Sequence, residues 1–190
     1  MRELESRPEL APDPDLARAR ALLEAYAAPD AAQEAIRARI LDFVAAHPGD
    51  AHERSCLEGH LTASTLLLDH ARERVLLTLH KKLGLWLQLG GHCDGDANLV
   101  GVAHREAREE SGIERIEIDP RPIDLDVHRI PEHRGVPEHW HLDTRFVAVA
   151  AQGAVERISE ESIDLRWFAV EEALGLGLDP SLERALSRIG

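Results

Sequence analysis

The sequence predicts an α/β sandwich preceded by a helical extension. Three observations carry the prediction. Two amphipathic helical patterns fill roughly the first 50 residues, apolar β-type runs dominate the remainder, and helical segments alternate with those runs. The chain of 190 residues is long enough for one domain with a full core. Its 44% hydrophobic content is that of a globular protein, not a disordered one.

Residues 1–14 are charged and proline-bearing and read as a loose lead. Leu16, Ala19, Leu22, Leu23 and Tyr26 recur at helical spacing across 15–28, until Pro29-Asp30 breaks the pattern. Asp30 is the expected N-cap of a second helix, with Ile36, Ile40, Phe43 and Val44 on one face, ending before His47-Pro48-Gly49. The texture then changes. Residues 60–69 read as a strand and 74–80 as its hairpin partner. Residues 85–89 lead into Gly90-Gly91, and 98–110 are helical by spacing, with Ser111-Gly112 as the stop. Residues 116–130 alternate and are interrupted by Pro120 and Pro122. A strong strand is expected at 139–150, a short one at 165–168, and a closing helix at 180–189.

Charge excludes some partners. The 22 basic and 35 acidic side chains give a net charge of −13. Wrapping nucleic acid or lying on an anionic membrane needs a basic face instead. No run approaches the ~18 apolar residues of a membrane span, and residues 1–14 lack the apolar stretch of a signal peptide. Cys56 and Cys93 are too few for a disulfide framework or a four-thiolate zinc site. The expectation is a soluble, reduced, cytoplasmic protein. The 11 histidines need a local explanation.

The chemistry concentrates in residues 90–113. At about 100° per residue, Glu106, Glu109 and Glu110 fall within one ~100° sector of a helix. Like charges at these spacings repel, and a hard divalent cation turns that repulsion into binding. Val100, Ala103 and Ala107 form a small apolar stripe beside the acids. Arg105, four residues before Glu109, is placed to orient its carboxylate. Gly90-Gly91 allows a tight turn and exposes bare peptide groups to a ligand. Three glutamates on an arbitrary helix would more often be a solvated face.

The full spacing changes that weighing. Gly91 followed by Arg105-Glu106-Ala107-Arg108-Glu109-Glu110-Ser111-Gly112-Ile113 resembles the Nudix box, G-x5-E-x7-R-E-U-x-E-E-x-G-U with U aliphatic. Residues 165–172 (Leu-Arg-Trp-Phe-Ala-Val-Glu-Glu) look like the Trp-bearing strand and acidic helix start common in that superfamily. The resemblance implies a Nudix-like α/β/α sandwich with a mixed sheet. Residues 56–190 would form the hydrolase domain and 1–55 the helical arm. One position departs: the first box glutamate is replaced by Ala97. Asp94 and Asp96 would either take over its role or stabilise the loop.

The resemblance further implies metal-dependent hydrolysis of a nucleoside diphosphate linked to another group. Mg²⁺ or Mn²⁺ would be held by Glu106, Glu109, Glu110 and the Gly90 carbonyl, with Arg105 in the catalytic set. Glu106, Glu160 and Glu161 are candidates for the base. His92, which follows Gly91, is a candidate ligand contact, and Cys93 reads as a small buried residue. Lys81 and Lys82 would meet substrate phosphates or merely solvate a hairpin end. His139, His141 and Asp143 share a strand face by the period of two. They would line the substrate site, hold a transition metal or form an ordinary polar face. Two alternatives are a non-catalytic nucleotide-binding or regulatory module and an isopentenyl-diphosphate isomerase-like enzyme using His92-Cys93. The arm's apolar face needs cover, from the same chain or from a homodimer partner.

Overall fold

A ten-residue strand, β1 (Gly59–Leu68), is buried along its whole length and organises the molecule. The computed structural model describes residues 7–81, 83–133, 135–159 and 162–189. Beside β1, strand β7 (His139–Ala150) runs parallel, from Gly59 opposite Trp140 to Leu68 opposite Val149. The other edge of β1 is shared by two antiparallel strands. β2 (Arg74–His80) pairs with Leu67 and Leu68, and β4 (Leu89–His92) pairs with Thr62 to Thr65. The outer edge of β7 is divided in the same way. β6 (Asp124–Ile130) lies along His139 to Arg145, and β5 (Ile116–Ile118) along Ala148 to Ala150. β2 also pairs with β3 (Trp86–Leu87) and β8 (Ser162–Ala169), which completes an eight-stranded mixed sheet.

The period of two gives the sheet two chemically different faces. Leu61 and Ala63 of β1, with Leu142 and Phe146 of β7, pack against α1 (Leu16–Ala25) and α2 (Ala31–Ala46). Farther along, Leu67 packs on the box helix α3 (Leu99–Ser111) through Ala107. The opposite face turns Leu66 and Leu68 onto α4 (Val170–Leu174) and α5 (Pro180–Leu186). The result is the expected α/β/α sandwich.

The helical arm is covered in cis. Leu16, Leu23, Ile40 and Val44 share one apolar cluster with the sheet. Asp30 caps α2 by accepting the Gln33 N–H at 2.8 Å. Buried Gln33 pairs with Leu125 of β6 as a strand would, donating to its carbonyl and accepting its N–H, each at 2.9 Å. This amide fixes the arm to the edge strand as well as to the core.

A charged network closes the other face. Asp124 is completely buried and receives Arg188 at 2.5 Å, Arg184 at 2.9 Å and Arg145 at 3.4 Å. Burying such a carboxylate without its guanidinium partners would cost about 3–5 kcal/mol, because a buried charge would be left uncompensated. The network clamps α5 over β6 and β7.

One local expectation changes, and two are made specific. Residues 7–14 are not a loose lead: Pro8–Leu10 forms a 3-10 turn, and Asn98 Nδ2 donates to the Glu9 and Ala11 carbonyls at 3.0 and 2.9 Å. Residues 116–130 form two strands, because Pro120 and Pro122 interrupt the ladder. The short helix α4 adds a turn after β8. Among the described residues no helix is long and apolar enough to cross a membrane.

Candidate active site

Helix α3 presents the acids because its other face is fully used. Val100, Ala103 and Ala107 are buried, and Thr65 of β1 donates to the Ala103 carbonyl at 3.0 Å. Asn98 caps the start by accepting the Gly101 N–H at 3.3 Å. Gly112 ends the helix in the left-handed region at φ +66, where glycine carries no Cβ penalty. Burying this stripe fixes the rotation of the helix and turns the acids toward β4.

The acids meet Gly90 and Gly91. Glu110 accepts the Gly90 N–H at 2.9 Å. A Cβ on Gly91 would lie 2.4 Å from Glu106 Oε2, so only glycine lets that carboxylate rest against the strand. Burial raises the Glu106 pKa above the usual carboxylate range, and Arg105 partly offsets it. Glu109 stands exposed on the same helix face. Arg105 differs from its expected contact. Its guanidinium donates to Glu106 at 3.0 Å and to the His92 carbonyl at 3.1 Å, not to Glu109 among the described contacts. Its neighbour in the helix lies closer to the loop than Glu109 does.

Ala97 has a structural explanation. It is fully buried in the cluster shared with the arm, and its N–H donates to the Asp13 carbonyl at 2.6 Å. The lead segment therefore covers the position where the box has its first glutamate. Asp96 is buried and accepts N–H groups from Asp13 and Asn98 at 3.0 and 2.9 Å, with Arg105 at 3.7 Å. Asp94 takes a positive φ of 50 and binds Arg54 through both oxygens, at 2.5 and 2.7 Å. That hydrogen-bonded guanidinium holds Asp94 below the usual carboxylate range. Both aspartates thus tie down the loop.

The histidine-bearing strands converge beside Gly91. His139 and His141 lie on β7 with Asp143, as the period of two requires. Asp143 accepts hydroxyl protons from Thr62 and Ser64 at 2.9 and 2.6 Å and pairs with Arg145 at 3.2 Å. The expected set is thereby divided: Asp143 serves the sheet network, while His141 joins His92 and His60. His60 and His128 escaped the sequence reading. Their only signal was the unexplained abundance of histidine.

These rings lie about 5 Å apart: His60 to His92 at 5.0 Å, His60 to His141 at 4.9 Å and His92 to His141 at 4.9 Å between centroids. Burial pushes His92 down to about 4, with the Arg54 charge adding to it. His141 falls to about 2 by burial and then by its neighbouring rings, and burial lowers His60 too. His128 behaves oppositely: burial lowers it, but its 2.9 Å contact with Asp126 and the Asp143 charge raise it overall. Cys93 is fully buried, and burial pushes its thiol up. A sealed thiol of this kind gives the isomerase alternative no support. Lys81 is exposed after β2, while Lys82, Glu160 and Glu161 lie outside the described residues.

An α/β/α sandwich that holds a Gly-Gly strand against a three-glutamate helix is a Nudix-type protein. A family model described as the NUDIX domain matches residues 59–188, and the chain belongs to that family. The Ap4A hydrolase of C. elegans, solved as a binary complex, superimposes with a TM-score of 0.56 at 19% identity, covering 67% of this chain and 93% of that one. The MutT protein of Methanosarcina mazei gives 0.51 at 22%, covering 69% and 92%. The Bacillus halodurans MutT protein gives 0.51 at 21%, covering 68% and 80%. At these identities the likeness is one of fold. No curated protein sequence matches the chain.

Proposed function

We propose that the protein hydrolyses a diphosphate linkage in a nucleoside diphosphate joined to another group, and that it depends on Mg²⁺ or Mn²⁺. The observation that carries this reading is the contact of α3 with β4: Glu110 on the Gly90 N–H and Glu106 against Gly91. The donor set fits the cation. Glu106, Glu109, Glu110 and the Gly90 carbonyl are hard oxygen ligands, the kind these ions take. The Gly91 cradle, which a Cβ would fill, brings one of those carboxylates onto β4.

The bound cation would offset the charge of the diphosphate and lower the pKa of water. The protein's own residues do the rest. Arg105 fixes Glu106 and the His92 carbonyl in one arrangement. Burial raises Glu106 in the metal-free protein, and a bound cation would offset that by holding it as the carboxylate. His92, His139 and His141 would border the substrate, with Asp143 fixing the strand face behind them. In this reading residues 56–190 carry the reaction, and the arm in 1–55 buttresses the box loop.

The test is nucleotide or phosphate release from a panel of nucleoside diphosphate derivatives with Mg²⁺ or Mn²⁺. Glu109→Gln is expected to abolish turnover while leaving the fold intact. Turnover equal to that of the natural sequence would refute the assignment. Tight binding of the intact compounds without cleavage would favour a non-catalytic module instead, the reading that Ala97 invites.

A further inference from the structure

Strand register draws distant histidines into one row. His60 stands opposite His141 across the parallel β1–β7 pair, and His128 opposite His141 across β6–β7. His92 stands opposite Thr62, two residues along β1 from His60 and on the same face. Four strands thus place imidazoles together beside Gly90 and Gly91 of β4.

We propose that His60, His92 and His141 form a binding site for a transition-metal ion of the zinc class, distinct from the glutamate site of α3. One nitrogen from each ring lies within 4.8 Å of the others. Zinc–nitrogen bonds of ~2.1 Å in a tetrahedral site set the nitrogens roughly 3.4 Å apart. Each ring therefore closes by about 1 Å or less, a shift that side-chain rotation supplies.

Unmet polar groups point the same way. His60 is 4% exposed, and among the described residues neither of its ring nitrogens has a hydrogen-bond partner of good geometry. The Cys56 backbone approaches that ring and favours its charged form, but outside good hydrogen-bond geometry, and burial outweighs it. His141 Nε2 is likewise buried and without a hydrogen-bond partner among the described residues. Buried polar atoms are almost always satisfied, and an ion held between the three rings would satisfy these.

The donor chemistry selects the ion. Imidazole suits zinc, copper, iron or nickel, whereas Mg²⁺ takes oxygen. Three protein ligands leave the fourth position to water or to an oxygen of a bound molecule. His128, held by Asp126 at 2.9 Å, and His139, held by the Pro137 carbonyl at 2.8 Å, brace the rim. The two metal sites meet at one loop, because Arg105 grips both Glu106 and the His92 carbonyl.

Untagged full-length protein, stripped with chelator, loaded with Zn²⁺ and desalted, is expected to retain one ion at this site. Co²⁺ loading is expected to give the visible absorption of a four-coordinate nitrogen site. His92→Asn and His141→Asn, each checked for folding by circular dichroism, should weaken zinc binding at least tenfold. His60→Asn is the less useful variant, because that ring is the most buried. Glu109→Gln should retain the zinc. So should Cys56→Ser, since Cys56 makes a second donor group with His47 and Asp50. The proposal is overturned if the natural protein retains no zinc. It is equally overturned if both histidine variants bind as before, or if Cys56→Ser loses the ion. None of those results bears on Mg²⁺-dependent hydrolysis at α3, so the two claims fail separately.

Discussion

Gly91→Ala separates the geometry of the site from the stability of the fold. The new Cβ would fall 2.4 Å from Glu106 Oε2 and 2.6 Å from its Cδ. Restoring ordinary van der Waals contact moves the carboxylate by about 1 Å. The atoms displaced are the far end of a flexible side chain, and Gly91 is not among the glycines with positive φ. Stability should therefore change by no more than about 1 kcal/mol. A displacement of ~1 Å at a reacting centre costs on the order of 100-fold, close to 2.7 kcal/mol of barrier. Urea unfolding together with kcat and KM on the best substrate of the panel measures both quantities. The expected result is an unchanged midpoint with kcat lowered about 100-fold. Gly90→Ala is the contrast. Its Cβ would meet Ser64 Cβ at 2.5 Å, Ser64 Cα at 2.7 Å and the Ala63 carbonyl at 2.8 Å. Those are mainly atoms of a neighbouring strand that cannot swing away, so about 3 kcal/mol of stability is lost. Full activity in a folded Gly91→Ala protein would show that the place of Glu106 against β4 is irrelevant to the reaction.

Two further outcomes follow from the loop and the histidines. Asp96→Ala leaves the N–H groups of Asp13 and Asn98 without their acceptor; a loss of about 2 kcal/mol in urea unfolding is expected, and a change below about 0.5 kcal/mol would remove the lead from the support of the box. Acid should destabilise the metal-free protein early. The unfolded chain binds protons at His92 below 6.5, whereas the folded one does so only near 4, so stability falls as pH drops through that window. From pH 7 to 5 this ring alone removes about 2 kcal/mol, and the lowered His60 and His141 act in the same direction. His128 acts oppositely, giving stability below 6.5 that is lost as pH rises through its raised folded value. Urea midpoints measured with chelator at pH 7 and pH 5 test the balance; equal midpoints would mean that the rings are not held neutral.

Local patterns in the sequence translated directly into structure. The β7 expectation at 139–150 coincides with the strand, and Asn98 and Gly112 bound α3 as caps. The rotation of that helix followed from three small residues, so its acidic face was legible before any tertiary contact was known. What escaped was non-local. His60 and His141 are far apart in the chain and meet only because β1 chooses β7 as a parallel partner. Nothing in residues 59–68 announces that choice, since a buried strand reads the same beside any neighbour. The role of residues 8–13 was hidden for a related reason. A charged, proline-bearing segment has no period, and its contacts are backbone groups satisfied by Asp96 and Asn98. Burial of Asp124 and Arg145 beneath Arg184 and Arg188 was equally invisible, because the same residue types on a surface look alike in sequence.

The net charge of −13 now has a local meaning. Part of the acid excess sits on α3 facing Gly90 and Gly91 of β4, where an anionic substrate would be repelled in the absence of a divalent cation. Calorimetric titration of a non-hydrolysable nucleoside diphosphate analogue, with and without Mg²⁺, tests this most directly. The expected result is weak binding to the metal-free protein, at least tenfold tighter binding with Mg²⁺, and loss of that gain in Glu109→Gln. Equal affinity with and without the metal would contradict the account.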